Sequence, residues 1–329
     1  MRPRARTGVP GERGFALLAV MLVMALLGVV VAEFAYSMRL EASMVRSYKE
    51  SLLASHLAEA GIQQAIREIL SEAQVQALDE DGQLAFYRLA PGQTTLTRVP
   101  SLQRSRVPLG PGEFSYRITD EEGRINVNLA AVDRIDRLLA AVGLSKEARD
   151  IVNDSLQDWK DANDEHRANG AESDDHYLKL AVPYRARNAH LQDVAELLQI
   201  RGVTPELFWG KPDRPGLGAL VTVLGRNQIN LNTAAPTVLT ALGLSDAEVS
   251  DIVQTRIRAP YPAVPGRFAG RSLAISSQTF RIEAEGVVAG DARARVLAIV
   301  QRRARQPGRA AAPAASGVTV VAWQANPER

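Results

Sequence analysis

Arg13-Gly14-Phe15-Ala16-Leu17-Leu18-Ala19-Val20-Met21-Leu22 is the stretch on which the reading of this chain turns. Ahead of it lies a basic leader with Arg2, Arg4 and Arg6, and behind Gly14 an uncharged apolar run extends from Phe15 to Ala32. At about 1.5 Å rise per residue, that run spans most of a ~30 Å hydrocarbon core. Arginines before the run and none inside it place the N-terminus in the cytoplasm and send everything after Glu33 across the membrane. Two plainer readings compete with a retained anchor of special design. One is a cleaved secretory signal, with Val30 and Ala32 as small residues before the cut, although the apolar run is long for that purpose. The other is a simple signal anchor.

The apolar pattern does not stop at the membrane. No proline occurs from Phe15 to Ala90, and Met44, Tyr48, Leu52, Leu53, Leu57, Ala60, Ala65, Ile66, Ile69 and Leu70 form a helical stripe opposite Arg46, Lys49, Glu50, Gln63 and Arg67. The membrane helix is therefore expected to continue as an amphipathic stalk, its part from Leu53 to Leu70 packing on a sheet. A Gly-Phe junction after a short basic leader, followed by one long helix of this kind, resembles the type IV pilin and pseudopilin class. The resemblance implies cleavage by prepilin peptidase between Gly14 and Phe15, with Phe15 then methylated.

The chain has 329 residues, a formal net charge of +2 and no cysteine. A near-neutral balance gives no support to polyanion binding by the whole, and many surplus arginines sit in the leader and between Arg302 and Arg309. Without cysteine, any covalent staple that an extracytoplasmic compartment permits is absent.

Beyond the stalk, Gln93 to Pro111 reads as a long loop and Glu113 to Thr119 as a strand with Phe114, Tyr116 and Ile118 on one face. Alternation returns at Phe280, Ile282 and Ala284, then from Arg293 to Val300 after a turn at Ala289-Gly290-Asp291. Val318 to Trp323 is a last candidate strand beyond an Ala/Pro-rich linker. The expected fold class is α+β: a transmembrane helix running into a pilin-like helix on an antiparallel sheet, with a large inserted helical domain. The expected boundaries are 1–14 for the leader, 15–36 for the membrane segment and 37–120 for the helix, loop and first strand. The inserted domain takes 121–275, the return strands 276–304 and the tail 305–329.

The helical block contains a near-repeat, Ile125-Asn126-Val127-Asn128-Leu129-Ala130 and Ile229-Asn230-Leu231-Asn232-Thr233-Ala234. Each copy precedes a helix and a hairpin, Gly143-Leu144-Ser145 or Gly243-Leu244-Ser245. A third hairpin, Gly202-Val203-Thr204-Pro205, follows an expected helix from Leu191 to Ile200. Glycine supplies a left-handed C-cap and Ser or Thr caps the next helix, with Ser245 and Glu248 suited to a capping box. Such hairpins grip DNA phosphates in some proteins. Here Glu147, Glu206, Asp246 and Glu248 follow them and would repel phosphate, so no nucleic-acid partner is expected.

The densest chemistry lies between the first and second hairpins, where Asp154, Asp158, Asp161, Asn163, Asp164, Glu165, Asn169, Glu172, Asp174 and Asp175 crowd oxygen ligands that suit calcium, and Asp161, Asn163, Asp164, Glu165, Glu172, Asp174 and Asp175 are the expected metal residues. Counted from Asp161, the residues Asp161, Asn163, Glu165 and Glu172 fall at the first, third, fifth and twelfth places of an EF-hand loop. His166 stands where that loop needs glycine, so an EF-hand is disfavoured. The competing reading is a solvated acidic loop. His166 and His176 with Asp174 lack a zinc ligand pattern.

Asp158-Trp159-Lys160-Asp161-Ala162-Asn163 with Asn169-Gly170-Ala171-Glu172, then Tyr184-Arg185-Ala186-Arg187-Asn188-Ala189, then Ile-Asn-Leu-Asn-Thr-Ala at 229–234, together resemble the K-type minor pseudopilins of the general (type II) secretion pathway. The resemblance implies a bound calcium, an inner-membrane anchor, I-type and J-type pseudopilin partners at the tip of a pseudopilus, and export of folded proteins. Major pseudopilins carry Glu at the fifth mature position. This chain has Ala19 there; K-type subunits likewise lack the acid, and such a subunit would not need a charge partner ahead of it. Neither G-x-S-x-G, H-E-x-x-H nor a phosphate loop occurs, so an enzyme is not expected. The remaining rival is a minor pilin for DNA uptake or adhesion.

Overall fold

The apolar run and the stripe beyond it form one helix, α1 (Glu12–Ile69). The computed structural model describes residues 12–71, 73–89, 95–288, 292–303 and 317–327; most of the leader, the Ala289-Gly290-Asp291 turn and most of the linker lie outside these. Past its exposed half, α1 buries Ala54, Leu57, Ala58, Ile62, Ala65 and Ile69, a spacing that keeps one face inward for four turns. Arg67 in the last turn favours the helix end electrostatically.

Five antiparallel strands receive that face, in the order Val318–Ala325, Ala292–Arg302, Thr279–Val288, Gly112–Asp120, Val107–Leu109. Before them, the chain makes β1 (Val75–Leu78), β2 (Leu84–Leu89) and β3 (Leu96–Arg98), a separate three-stranded antiparallel sheet. Then come β4 (Val107–Leu109) and β5 (Gly112–Asp120). The sequence reading expects no strand before Glu113 and a loop over Gln93–Pro111, and the structure corrects both. The missed signal is the Asp81-Gly82 turn: Gly82 is left-handed at φ 69, and Asp79 Oδ1 accepts the N–H groups of Asp81 and Gln83, closing the β1–β2 hairpin. Strands of three to six residues carry too few alternations to stand out from a loop.

Between β5 and the rest of the main sheet lie helices and short parallel strand pairs around a second apolar core. A 3-10 turn, Glu121–Gly123, leads to β6 (Ile125–Asn126), α2 (Val132–Ala141) and α3 (Lys146–Lys160). After 3-10 turns at Tyr177–Lys179 and Val194–Gln199 come α4 (Pro205–Trp209), β7 (Gly210–Lys211), β8 (Arg214–Pro215), α5 (Leu217–Leu220) and β9 (Val221–Thr222). The second copy follows: β10 (Ile229–Asn230), α6 (Pro236–Ala241), α7 (Asp246–Arg258) and β11 (Leu273–Ala274). The chain then returns through β12 (Thr279–Val288), β13 (Ala292–Arg302) and β14 (Val318–Ala325).

The near-repeat performs the same task twice. β6 pairs in parallel with β9, and β10 with β11. In each copy the first Asn accepts the N–H of the second through Oδ1, at 3.0 Å. The second Asn then clamps a distant residue by both its N–H and C=O: Asn128 holds Leu191, and Asn232 holds Tyr261. This explains why the expected helix from Leu191 to Ile200 is instead a 3-10 turn over Val194–Gln199. With both backbone groups of Leu191 committed to Asn128, a helix cannot start there, and Asp193 caps the turn in its place.

Three consecutive acids join the two cores, and all three are buried. Asp120 accepts from Ser277 and Thr233 (2.6 Å each) and Asn230 (3.0 Å) through Oδ2, and from the Glu122 N–H (2.8 Å) through Oδ1. Glu121 pairs with Arg281 (2.6 Å) and Arg124 (3.2 Å), and Glu122 with Arg226 (2.6 Å) and Thr279. Burial alone would raise the Glu121 carboxyl, but Arg124 and Arg281 hold it below its ordinary value. Each acid thereby ties the sheet to the helical unit. This joint lies at the far end of the stalk from the membrane segment: Arg302, which bonds the Gln278 carbonyl, also donates to the carbonyls of Ile69 and Ala73.

Candidate functional site: an apolar stalk and an acidic loop

Every residue from Phe15 to Lys49 is exposed, Ala19 included, and Gly14 lies within α1. Among the described residues, α1 is the one helix long and apolar enough to cross a membrane. Its exposed apolar side chains continue past the membrane run through Phe34, Tyr36, Met38, Leu40, Met44, Val45 and Tyr48. None of the described residues covers this surface, which suits lipid in the first part and neighbouring helices in the second.

The acidic loop starts where α3 ends. Trp159 is buried, edge-on to Tyr177 at 5.3 Å, and this aromatic contact fixes the last turn of α3. The adjacent Asp158 carboxylate is thereby turned into the interior, where it accepts the Arg167 N–H and an Arg167 Nη1 bond at 2.6 Å. The same Nη1 reaches Asp161 Oδ2 at 2.7 Å. Gly170 leaves the room this needs, for a Cβ there would lie 2.8 Å from Asp158 Cγ. Asn163 donates to Asp161 Oδ1 and accepts the Glu165 N–H, both at 2.8 Å, while Asn188 donates to Asp164 Oδ1 at 2.9 Å. Glu172 is buried. Its Oε2 accepts the Ser173 N–H at 3.3 Å, but its Oε1 has no hydrogen-bond partner among the described residues. Its carboxyl is pushed up to about 7, first by burial and then by the charges of Asp158, Asp161 and Asp164.

Of the residues expected to bind metal, the structure thus gathers Asp161, Asp164 and Glu172. Asp175 accepts the Glu172 N–H instead, and the side chains of Glu165 and Asp174 face solvent. Asp158 joins the cluster: it belongs to the acidic run read from the sequence, but the spacing counted from Asp161 leaves it out of the expected ligand set. No helix follows the loop as an EF-hand requires. Among the described residues, no three acidic or imidazole groups are yet set around one point as metal ligands, Arg167 standing between two of them.

The hairpins offer little to a phosphate. The N–H groups of Gly143, Leu144 and Gly243 bond back to their preceding helices, and that of Ser245 goes to Glu248 in the capping box. Arginines sit on the adjoining carbonyls, Arg214 on Val142 and Arg271 on Gly243. These turns are closed by the chain's own groups.

A family profile described as type II secretion system (T2SS), protein K, matches residues 116–209. The type II secretion system protein K of Pseudomonas aeruginosa is 27% identical over 320 residues, covering 89% of each chain. That of Klebsiella pneumoniae is 28% identical over 332 residues, covering 90% of this chain and 94% of the relative. A chain from the crystal structure of the GspK-GspI-GspJ complex of enterotoxigenic Escherichia coli shares the fold with a TM-score of 0.58 at 17% identity. The match covers 88% of this chain and all of that one.

Proposed function

Given that this chain belongs to the protein K family of type II secretion, as a membrane-anchored minor pseudopilin and not an enzyme, we propose that it caps the pseudopilus tip, helps initiate assembly, and thereby supports export of folded proteins across the outer membrane. The observation that carries this is the placement of the helical unit, joined through Asp120, Glu121 and Glu122 at the membrane-distal end of the stalk's packed half. A subunit adding ahead would meet that bulk, while the exposed lower stalk remains open to subunits behind. Ala19 fits the same place, because a leading subunit has no neighbour to neutralise a buried carboxylate. The partners are I-type and J-type minor pseudopilins, packed along α1. The anchor sits in the inner membrane with its N-terminus cytoplasmic. A deletion strain should lose exoprotein secretion and keep normal DNA uptake; the reverse result would favour the DNA-uptake pilin.

Processing follows from the Gly14-Phe15 junction. N-terminal mass spectrometry of the mature protein should find Phe15 as the first residue, methylated, and a chain starting at Glu33 would establish a cleaved secretory signal instead.

The loop's donor set fits calcium. Asp158, Asp161, Asp164 and Glu172 are all hard oxygen donors, Glu172 Oε1 lacks any partner among the described residues, and Gly170 makes room for the Asp158 carboxylate to turn into the loop. Bound there, the ion would supply the positive charge that lets crowded carboxylates share one site. Calcium should raise the melting temperature and chelator should lower it, with Asp161→Ala and Glu172→Ala each mimicking chelation. An unchanged melting temperature in both conditions would leave the solvated-loop reading.

A further inference from the structure

Arg167 is placed to do without the metal what calcium would do with it, and the inference drawn from this rests on the calcium reading above. Asp158 is fully buried, and a carboxylate taken from water without a counter-charge is costly. Arg167 supplies that charge. Its Nη1 lies 2.6 Å from Asp158 Oδ1 and 2.7 Å from Asp161 Oδ2, so a single nitrogen bridges the two carboxylates. Arg167 is not itself part of the core: 43% of its side chain is exposed, and the chain around it from Ala162 to Asn169 is exposed too. It reaches in from the surface and can leave without opening the core.

The bridge is incomplete, however. Glu172 is 2% exposed, its Oε1 has no donor among the described residues, and the negative charges of Asp158, Asp161 and Asp164 act on it. One guanidinium carries a single charge and satisfies two carboxylates, whereas a divalent cation carries two and takes six to eight oxygens at about 2.3–2.6 Å. A metal ion at that distance from the Asp158 and Asp161 oxygens would crowd the positive nitrogen now held there. The two arrangements exclude each other.

We propose that Arg167 is a tethered stand-in for the metal: its guanidinium bridges Asp158 and Asp161 when no divalent cation is bound, and it swings to solvent when one enters. The bridge keeps the loop ordered in the empty state and lowers the apparent calcium affinity, since the ion binds only the fraction with Arg167 withdrawn.

The test uses the full chain in detergent micelles, titrated calorimetrically with calcium chloride as wild type, Arg167→Gln and Arg167→Lys. Arg167→Gln should bind calcium at least tenfold tighter than wild type. Its melting temperature should be lower than wild type in chelator and equal to it in saturating calcium. Arg167→Lys should fall between the two, because an ammonium keeps the charge but not the planar fork. Should the chelated Gln variant unfold, the Lys variant still reports the affinity. Binding by Arg167→Gln alone would support the proposal in its strongest form. Equal or weaker binding by both variants, with wild type binding normally, would overturn it and leave the calcium site standing. Absence of binding by all three would overturn both.

Discussion

Gly286→Val should lower the unfolding free energy by at least about 3 kcal/mol, the upper range for overpacking a close-packed interior. Gly286 lies on β12 directly under α1. A Cβ there would fall far inside van der Waals contact with the Ala54 carbonyl oxygen and 2.7 Å from the Ala58 nitrogen, both backbone atoms that no rotamer change can move aside. Across the same interface, a Cβ on Gly61 would lie 3.0 Å from Ala284 Cβ. Small residues on both sides let helix and sheet approach at backbone distance, so valine would push the stalk off the sheet. Gly266→Ala is the control, for a Cβ at that glycine meets nothing within 4 Å. Urea unfolding of the detergent-solubilised chain, followed by circular dichroism, checks both. A Gly286→Val midpoint matching the parent would show that α1 does not rest on β12 as described.

The cost of Asp120→Ala should depend on pH, and by a similar amount. Burial pushes the Asp120 carboxyl from an ordinary 3.8 up to about 6, against the opposing hydrogen bonds from Ser277 and Thr233, with the neighbouring Glu122 charge adding to the rise. The folded state therefore keeps the proton up to about pH 6, while the unfolded chain releases it near 3.8. Stability from this group is present below about pH 4 and is lost as pH rises through about 6, for a total of roughly 3 kcal/mol. The facing cations, Arg226 on Glu122 and Arg281 and Arg124 on Glu121, are engaged with the other two acids. Alanine strands the donors of Asn230, Ser277 and Thr233 at every pH, but it also removes this titration. The penalty of Asp120→Ala should be greatest near pH 4 and shrink toward neutrality. A penalty that stays constant from pH 4 to 7.5 would show that Asp120 carries no such shift.

How much of this was readable beforehand differs by element. The helix was legible because its signal accumulates: a proline-free apolar run from Phe15 continuing as a stripe to Ile69 repeats one message over many turns. The long strands β5, β12 and β13 were legible for the same reason, their inward residues Phe114, Tyr116, Ile118, Phe280, Ile282 and Val296 alternating over enough positions to exclude chance. Chemical patterns with fixed local geometry also survived, as the Ser245 and Glu248 capping box did. Short elements did not. The alternation in β1 to β4 is too short to separate them from a loop, with the Asp81-Gly82 turn as the local sign of the first hairpin, and the run after Leu191 looks helical until Asn128, 63 residues earlier in the chain, is seen to hold its backbone.

The sequence by itself determined the anchor, the stalk, the α+β class and the presence of an oxygen-rich loop, because each is written in the spacing or composition of neighbouring residues. Only the tertiary structure decided which carboxylates meet. It turned Asp158 inward beside Asp161 and Glu172, set Arg167 between two of them and left Glu165 and Asp174 in solvent. It also made Asp120-Glu121-Glu122 the buried joint between two cores. The joint depends on partners such as Arg226, Asn230 and Arg281, more than a hundred residues away, and contacts at that separation leave no trace in local pattern.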